Sequence, residues 1–396
     1  MQMGFKMNYL KQIYQRYHKS SINEKTKILD EFCKVCGYVR KYGIRKLNDV
    51  FPDDKDPKPK KLKNRKKKYL NQTISILEIL MESTNYLCSV RLKAAIPLWL
   101  PHMKKRFPLT PEIEKQLLAI SPSTIERSLK NKKRKLKRKI YGTTKPGYLL
   151  KHQIPIKTDS WNVHEPGFAE IDLVSHSGDK ADGDFIYSCN FTDIKTTWTE
   201  TRAIMGKGQF ATQQALTSIE SSLPFKLLGI DSDNGSEFIN YHLYKYCQDN
   251  KIQFTRSRPY KKDDNAHIEQ KNWTHVRKIF GYVRYDSEQA LEAMNDLYRN
   301  ELRIMQNLFL PSQKLIKKKR IGSKYIRVYD KPQTPLQRVL NCKLNNIDKN
   351  KIKELVALSN SINPFDLAKI IDVKINKIYR LASLTRRQKN SLKQVA

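Results

Sequence analysis

The chain has 396 residues, and its 76 lysines and arginines outnumber its 39 aspartates and glutamates to give a net charge of +37. An excess of this size is typical of proteins that bind polyanions, because each neutralised phosphate releases condensed counterions; lysine enrichment for solubility is the alternative. The length predicts a multidomain chain, and the lack of any run of about 18 apolar residues or of an apolar signal core argues against a membrane protein and predicts a cytoplasmic one.

Residues 1–50 are predicted to form an all-α helix-turn-helix domain. Apolar side chains recur at helical spacing from Phe5 to Tyr17 and from Ile28 to Val35, and Asn23 is the expected N-cap of the second helix. Gly37 then supplies a turn before a basic third helix, a pattern that favours helix-turn-helix over an ordinary three-helix bundle. The residues predicted to contact DNA here are Arg40, Arg45 and Lys46.

Cys33 and Cys36 form a C-x-x-C pair in this region. A structural zinc site needs four ligands, and His18 is the only histidine that precedes the pair. We therefore interpret the two cysteines as buried helix positions.

Residues 51–68 combine three prolines with a dense basic run and are predicted to be a basic linker. Residues 69–145 return to helical periodicity and are predicted to be a second helical DNA-binding region. Its last helix has Ser121 as N-cap and Pro122 at the first helical position. Eight of the ten residues from Lys130 to Lys139 are basic, which favours an anionic partner over a merely solvated helix. The residues assigned to DNA are Lys133 and Arg134.

Residues 160–310 are predicted to form an α/β core with a mixed sheet, because three strand-like runs in series precede alternating helices and strands. Predicted strands cover 168–175, 184–192, 197–204, 225–231 and 252–256, and predicted helices cover 208–221, 237–250, 265–283 and 287–308. Residues 311–396 are predicted to be a small basic C-terminal region, with a possible β unit after Pro311 and helices at the end.

Three acidic residues occupy unusual positions in this core. Asp172 lies inside a predicted strand between Ile171 and Leu173, although a lone buried carboxylate is costly. Asp233 follows a predicted central strand in a tight Asp-Asn-Gly turn, where the sites of α/β proteins usually lie. Glu269 falls near the start of a predicted long helix.

Carboxylates gathered at one place repel each other. Two of them ~4.5 Å apart cost about 4 kcal/mol at an effective dielectric near 20 unless a cation or proton neutralises them. Oxygen ligands favour Mg²⁺ or Mn²⁺ over zinc. Two such ions about 3.5–4 Å apart can activate a water or 3′-hydroxyl and stabilise the oxygen that leaves a phosphodiester.

The stretches HEPGFAEIDLVSH, LLGIDSDNGSEF and FTRSRPYKKDDNAHIEQKNW resemble bacterial insertion-sequence transposases with a retroviral-integrase-like DDE core. The resemblance covers roughly residues 140–340, and 35 residues separate Asp233 from Glu269. Spacing alone is weak evidence; the order of strand, strand-end turn and helix carries it. The resemblance implies an RNase H-like fold and two Mg²⁺ (or Mn²⁺) ions per active site, held by the catalytic residues Asp172, Asp233 and Glu269.

Two other acidic residues lie near Asp233. Asp231 would share its face by strand alternation, but the family's catalytic aspartate precedes Asn-Gly, which favours Asp233. Glu237 is interpreted as a charge at a helix N-terminus.

Several basic residues around the predicted site are candidate DNA contacts. The resemblance places such residues on or beside the Glu269 helix, although the positions do not match one for one. His267 and His275 are interpreted as DNA contacts or helix surface and not as metal ligands. The candidate DNA-binding residues of this region are Arg256, Arg258, Lys271, Arg277 and Lys278.

The sequence therefore predicts a transposase that cleaves DNA and transfers strands at mobile-element ends. Its expected partner is double-stranded DNA, with the chain as a homodimer or homotetramer and without a small-molecule cofactor. The alternatives are a non-catalytic helix-turn-helix regulator derived from a transposase and an RNase H-like nuclease without joining activity.

Overall fold

The structure is a computed structural model that describes residues 3–49, 69–135, 163–180, 182–232, 238, 241–256, 268, 271–321, 324–342 and 346–383. The predicted linker, residues 51–68, lies outside these ranges. The chain divides into two compact units, Met1–Lys67 and Lys68–Ala396. Within the described ranges, no helix is both long and apolar enough to cross a bilayer.

The first unit contains three helices, and its second helix shows how the local sequence sets an element's bounds. The helices are α1 (Met3–Lys19), α2 (Ile22–Cys36) and α3 (Arg40–Leu47). Ser21, not Asn23, is the N-cap of α2: Ser21 and Glu24 form a reciprocal capping box. The prediction of Asn23 was wrong because it overlooked this pair. Gly37 ends α2 with φ 66°, a conformation that glycine adopts without strain.

Close packing of α2 against α3 forms the core of this unit. Phe32 and Leu47 are fully buried, and a Cβ atom added to Gly43 would lie 2.6 Å from the Cys33 Sγ atom. Cys36 is buried and Cys33 half-buried, both within α2, and burial raises the pKa of each thiol. The thiols therefore remain protonated at neutral pH, in agreement with their interpretation as helix positions.

The second unit begins with four helices, α4 (Asn71–Ser83), α5 (Ser89–Arg106), α6 (Pro111–Ala119) and α7 (Pro122–Lys135). The Ser121 hydroxyl accepts a hydrogen bond from the Thr124 amide (3.3 Å), so the predicted N-cap of α7 is confirmed. Ile125 and Leu129, the predicted apolar stripe of α7, are fully buried.

A mixed five-stranded sheet forms the centre of this unit. Its strands are β1 (Phe168–Ser175), β2 (Ile186–Asp193), β3 (Thr199–Met205), β4 (Gly229–Ser232) and β5 (Gln253–Arg256). The order is β3-β2-β1-β4-β5, with β1, β2 and β3 antiparallel and β1, β4 and β5 parallel. The predicted α/β core with a mixed sheet is confirmed.

Strand β4 is shorter than the predicted 225–231. Phe225 instead pairs with Ile347 in an isolated bridge, so the chain joins the sheet only at Gly229. A Cβ atom at Gly229 would lie 2.6 Å from the Phe168 ring, which explains why a glycine occupies the point where β4 meets β1.

Helices flank the sheet and continue to the end of the described chain. They are α8 (Gln209–Ser222), α9 (Tyr241–Asp249), α10 (π-helical over Asn272–Arg277, α-helical over Lys278–Phe280), α11 (Glu288–Leu297, with π-helical turns at Tyr298–Leu302 and Met305–Phe309), α12 (Pro335–Asn341), α13 (Lys349–Ser361) and α14 (Pro364–Arg380). Between α11 and α12 lies a two-stranded hairpin of β6 (Leu315–Ile321) and β7 (Lys324–Tyr329). The predicted β unit after Pro311 and the terminal helices are both present.

The helices before and after the sheet share one hydrophobic core with it. Trp99 of α5 packs edge-on against Phe365 of α14, with ring centroids 4.8 Å apart, and its Nε1 atom donates to the Phe309 carbonyl (3.2 Å). The described parts of residues 69–145 and 311–396 are therefore packed into the unit that contains the sheet, because their apolar stripes are buried against its helices.

A buried ion cluster anchors β3. The Glu200 side chain is fully buried and accepts hydrogen bonds from Trp198 Nε1 (3.0 Å), Arg202 Nη1 (3.3 Å) and Arg303 Nε (2.7 Å). Both guanidinium groups depend on this single carboxylate for charge compensation within the cluster. Losing it would leave the buried Arg202 and the half-buried Arg303 without this counter-charge.

We predict that Glu200→Gln lowers the free energy of unfolding by about 3–5 kcal/mol, because one partner of a buried ion pair is removed. Denaturant unfolding followed by tryptophan fluorescence measures it, since all four tryptophans lie after residue 67. Glu354→Gln, an exposed position on α13, is the control and should change stability by less than about 0.5 kcal/mol. Equal losses in the two variants would contradict the role given to the cluster.

Candidate active site

Asp172, the predicted catalytic aspartate of β1, is half-buried on the central strand of the sheet. Its Oδ1 atom accepts a hydrogen bond from the Leu173 amide (2.8 Å), and its Oδ2 atom accepts one from Asn272 Nδ2 (2.5 Å). Asn272 begins the π-helical part of α10. The first strand of the sheet and the start of this helix are therefore joined at the carboxylate.

A chain of side-chain hydrogen bonds orients this contact. Thr201 Oγ1 on β3 donates to Asn190 Oδ1 (3.2 Å), and Asn190 Nδ2 on β2 donates to Asn272 Oδ1 (2.7 Å). Each amide accepts on one side and donates on the other, so each fixes the orientation of the next. The last donor in the chain is the Asn272 amide that bonds Asp172.

Two further acidic residues near Asp172 are fully buried. Glu170 Oε2 accepts a hydrogen bond from the Ile268 amide (2.9 Å), which ties the segment before α10 to β1. Asp231 on β4 accepts one from Thr255 Oγ1 on β5 (2.7 Å) and pairs in register with Glu170. Asp231 is buried in the sheet, and the preference for Asp233 over Asp231 as the catalytic residue stays a prediction.

Asp233 and Glu269, together with Glu237 and His267, lie outside the described residues. The described residues that immediately precede Asp233 and Glu269 in the sequence lie close to β1. Ser232 ends β4 in parallel register with Ile171, and Ile268 bonds Glu170. In the described part of the chain no three His, Cys, Asp or Glu residues form a group able to hold a metal, and of the predicted trio that part includes Asp172 alone.

Lys271 and His275 on α10 are both buried. Lys271 Nζ lies 3.4 Å from the Thr197 carbonyl oxygen and 3.4 Å from His275 Nε2. Burial, and then the charges of Arg91 and Arg338, lower the pKa of Lys271 to about 7. The interpretation of His275 as a DNA contact or helix surface was wrong, because the side chain is buried and this face of α10 turns into the protein. Burial also lowers the pKa of His275.

Arg277 and Lys278 are half-buried and engaged with the protein. The Arg277 guanidinium lies 4.7 Å from the centre of the Tyr282 ring, with Nη2 3.5 Å from Ser175 Oγ, and burial lowers its pKa. Lys278 Nζ donates to the Asn85 carbonyl.

The other predicted DNA contacts are described less fully. Arg256 ends β5 and Lys133 and Arg134 lie in α7, but their side chains, like the whole of Arg258, lie outside the described part.

In the first unit, the predicted DNA contacts lie on α3. Arg40 is exposed and forms an ion pair with Asp30, which a surface location makes weak. The Arg45 guanidinium lies 4.9 Å and Lys46 Nζ 5.8 Å from the centre of the Tyr42 ring. The helix thus presents basic side chains at the surface of its own unit.

Sequence reasoning missed a buried polar chain at the end of β1. His176 Nε2 lies 2.8 Å from Ser188 Oγ, which lies 2.7 Å from the Tyr298 hydroxyl. The imidazole also packs edge-on against Phe280 and Tyr285, with ring centroids 5.9 and 5.6 Å away. Burial, and then Arg277, lower the pKa of His176 to about 3, so the ring is neutral at physiological pH. The His in AEIDLVSH was the available signal.

No family model matches the chain. It is 35% identical over 342 residues to the uncharacterized protein y4rM of Sinorhizobium fredii (strain NBRC 101917 / NGR234), a match that covers 85% of this chain and 95% of y4rM. The chain therefore belongs to the same family as y4rM.

Three solved structures are similar to parts of the chain. The catalytic core domain of BIV integrase is 14% identical, covering 44% of this chain and 94% of its own, with a TM-score of 0.30. The HTLV-2 integrase catalytic core in complex with magnesium is 17% identical, covering 37% and 90%, with a TM-score of 0.28. The simian T-cell lymphotropic virus intasome in complex with a PP2A regulatory subunit is 13% identical, covering 62% and 77%, with a TM-score of 0.34.

We predict that acid weakens the fold through His176. Between its ordinary pKa of 6.5 and its folded pKa of about 3, the unfolded chain binds a proton that the folded chain does not. The free energy of unfolding should fall as pH drops from about 6.5, by up to about 1.4 kcal/mol per pH unit. His176→Gln should remove that part of the slope, whereas His164→Gln, an exposed position, should keep it. Identical slopes in denaturant titrations of both variants would refute this.

Proposed function

We propose that this protein is a transposase of the retroviral-integrase type, which cleaves DNA at mobile-element ends and joins the strands to a target. Asp172, Asp233 and Glu269 are its catalytic residues and metal ligands. The observation that carries the proposal is the hydrogen bond from Asn272 to Asp172. Asn272 follows Glu269 by three residues in the sequence, so this bond supports a position of Glu269 near the strand that bears Asp172.

Two further contacts support the same assembly. Ser232, the residue before Asp233 in the sequence, is in register with Ile171, the residue before Asp172. The Ile268 amide, which immediately precedes Glu269, bonds Glu170 on β1. Each member of the predicted trio thus has a described sequence neighbour tied to β1 or is itself on β1. The strand order also agrees with the RNase H-like fold that the motif resemblance implies.

The residues around Asp172 fit a hard divalent cation, Mg²⁺ or Mn²⁺. Carboxylate oxygens are the ligands such ions prefer, and hydrogen bonds from the Leu173 amide and the Asn272 side chain hold the half-buried Asp172 carboxylate in place. Burial raises the pKa of the neighbouring Cys189 thiol to about 12, so a soft thiolate ligand does not compete.

Two cations bound here would neutralise the carboxylates and the charge that develops on the phosphodiester oxygens. The chain's own contribution is positional. The series of hydrogen bonds from Thr201 through Asn190 to Asn272 holds the Asp172 carboxylate in one orientation before any substrate binds. Such a fixed arrangement reduces the reorganisation needed at the moment of reaction.

Double-stranded DNA is the proposed partner, and the first unit supports it. Helices α2 and α3 are joined by a three-residue turn that begins with Gly37, as in helix-turn-helix proteins, and α3 carries Arg40, Arg45 and Lys46. Lys133, Arg134, Arg256 and Arg258 remain proposed contacts. Two element ends must be joined together, so the active form is proposed to be a homodimer or homotetramer.

A non-catalytic DNA-binding regulator is the alternative. A regulator uses only the helix-turn-helix unit and gains nothing from a half-buried carboxylate held by a fixed amide chain. Keeping a carboxylate half-buried carries a desolvation cost that DNA binding by the first unit does not require, which favours the enzyme.

We predict that Asp172→Asn abolishes Mg²⁺-dependent cleavage and strand transfer, because a neutral amide lacks the negative charge of the metal ligand. DNA affinity should stay unchanged. Asp233→Asn and Glu269→Gln should behave alike. The assay joins duplexes carrying the element's terminal sequences to a target plasmid, with binding measured in parallel. Asp249→Asn, exposed at the end of α9, is the control. Joining by Asp172→Asn at the wild-type rate would sink the catalytic assignment, and cleavage without joining by the wild type would favour a nuclease.

We further predict that Asn272→Ala reduces strand transfer by about 10- to 100-fold at limiting Mg²⁺, the usual effect of losing a residue that orients a metal ligand. Raising the Mg²⁺ concentration should restore part of the activity, because the carboxylate itself remains. Asn190→Ala should act in the same direction through Asn272. The result against this positioning role would be a loss of activity that added Mg²⁺ does not relieve, with activity reaching half its maximum at the same Mg²⁺ concentration as in the wild type.

A further inference from the structure

All side chains of the β6–β7 hairpin that the structure describes are exposed. The exposed fraction is 66% for Ile316, 51% for Ile326 and 48% for Tyr329. A two-stranded hairpin is marginally stable alone, and apolar side chains on it are normally covered. The six exposed side chains are Leu315, Ile316, Ile326, Arg327, Val328 and Tyr329.

The base of the hairpin is nevertheless firmly attached to the unit. Asp330 Oδ1 accepts from the Lys314 amide (2.7 Å), and Asp330 Oδ2 forms an ion pair with Arg338 Nη1 of α12 (2.5 Å). Arg338 Nη2 also donates to the Ser312 carbonyl (3.0 Å). The two strands therefore project from a fixed root.

The hairpin sequence is strongly basic. Between Leu315 and Tyr329 there is no aspartate or glutamate. The backbone register pairs Lys318 with Arg327 and Lys319 with Ile326, so basic and apolar residues share the two strands. The basic residues are Lys317, Lys318, Lys319, Arg320, Lys324 and Arg327.

We propose that the basic hairpin formed by β6 (Leu315–Ile321) and β7 (Lys324–Tyr329) is a DNA-binding β-ribbon that lies in a groove of the duplex. A two-stranded ribbon fits the major groove, where basic side chains reach phosphates and aliphatic ones contact thymine methyl groups. Charge complementarity selects the occupant: a polyanion matches the hairpin, whereas a second copy of a chain with net charge +37 does not. The inference rests on the proposed function for the identity of DNA as ligand.

The test is a salt titration of duplex binding by the full-length chain, using fluorescence anisotropy of a labelled DNA without metal. Log affinity falls as log salt rises, and Arg327→Ala should make this negative slope shallower by about 1, the value for one phosphate contact. Arg327→Lys should keep the slope. Lys353→Ala removes the same charge from an exposed position on α13 and should leave the slope unchanged. The double variant Ile326→Ser, Val328→Ser should weaken binding at an unchanged slope.

Each outcome decides something. Equal slopes for Arg327→Ala, Lys353→Ala and wild type would overturn the hairpin assignment while leaving the proposed catalytic site intact, because binding here needs no catalysis. A change in oligomeric state of the double variant by sedimentation, with unchanged DNA affinity, would assign the hairpin to a contact between copies instead. Absence of duplex binding by the wild type would overturn this inference and the proposed function together. Unaltered melting temperatures would show that the exposed substitutions leave the fold intact.

Discussion

The hydrogen bond between Asn272 and Asp172 is the contact on which the proposed site depends. It joins residues 100 positions apart in the chain and places the start of α10 against the central strand. The bond does not act alone, because Asn190 and Thr201 orient the Asn272 amide from β2 and β3. A charge that three strands and a helix hold in one place is available for a cation and costs little further ordering when one binds.

The rest of the second unit makes this arrangement rigid. Buried polar side chains join separate elements: Glu200 compensates two arginines at β3, and Glu170 accepts a hydrogen bond from the Ile268 amide before α10. A second series of hydrogen bonds runs from His176 through Ser188 to Tyr298 of α11. Such networks are costly when incomplete, so they favour one arrangement of strands and helices over its alternatives. The basic hairpin differs, because its described side chains are exposed and take no part in these buried networks.

Much of the fold could be predicted from local pattern. The alternation around Asp172 predicted β1 with the bounds that are observed, and Pro122 after Ser121 correctly marked the start of α7. Two errors arose where a distant contact overrode the local signal. Phe225 reads as strand but pairs with Ile347, and His275 reads as polar surface but lies inside. Neither partner could be inferred from nearby residues, because both contacts depend on how separate elements pack.

By itself, the sequence determined the charge balance, the helical and strand periods, and the candidate acidic trio, because these are properties of composition and spacing along the chain. Tertiary structure alone decided which polar residues meet. It buried Lys271, paired Asp231 with Thr255, and brought Asn272 to Asp172. The physical reason is that burial and hydrogen bonding depend on distances between elements, and a chain's local pattern specifies which face is apolar without specifying which surface will cover it.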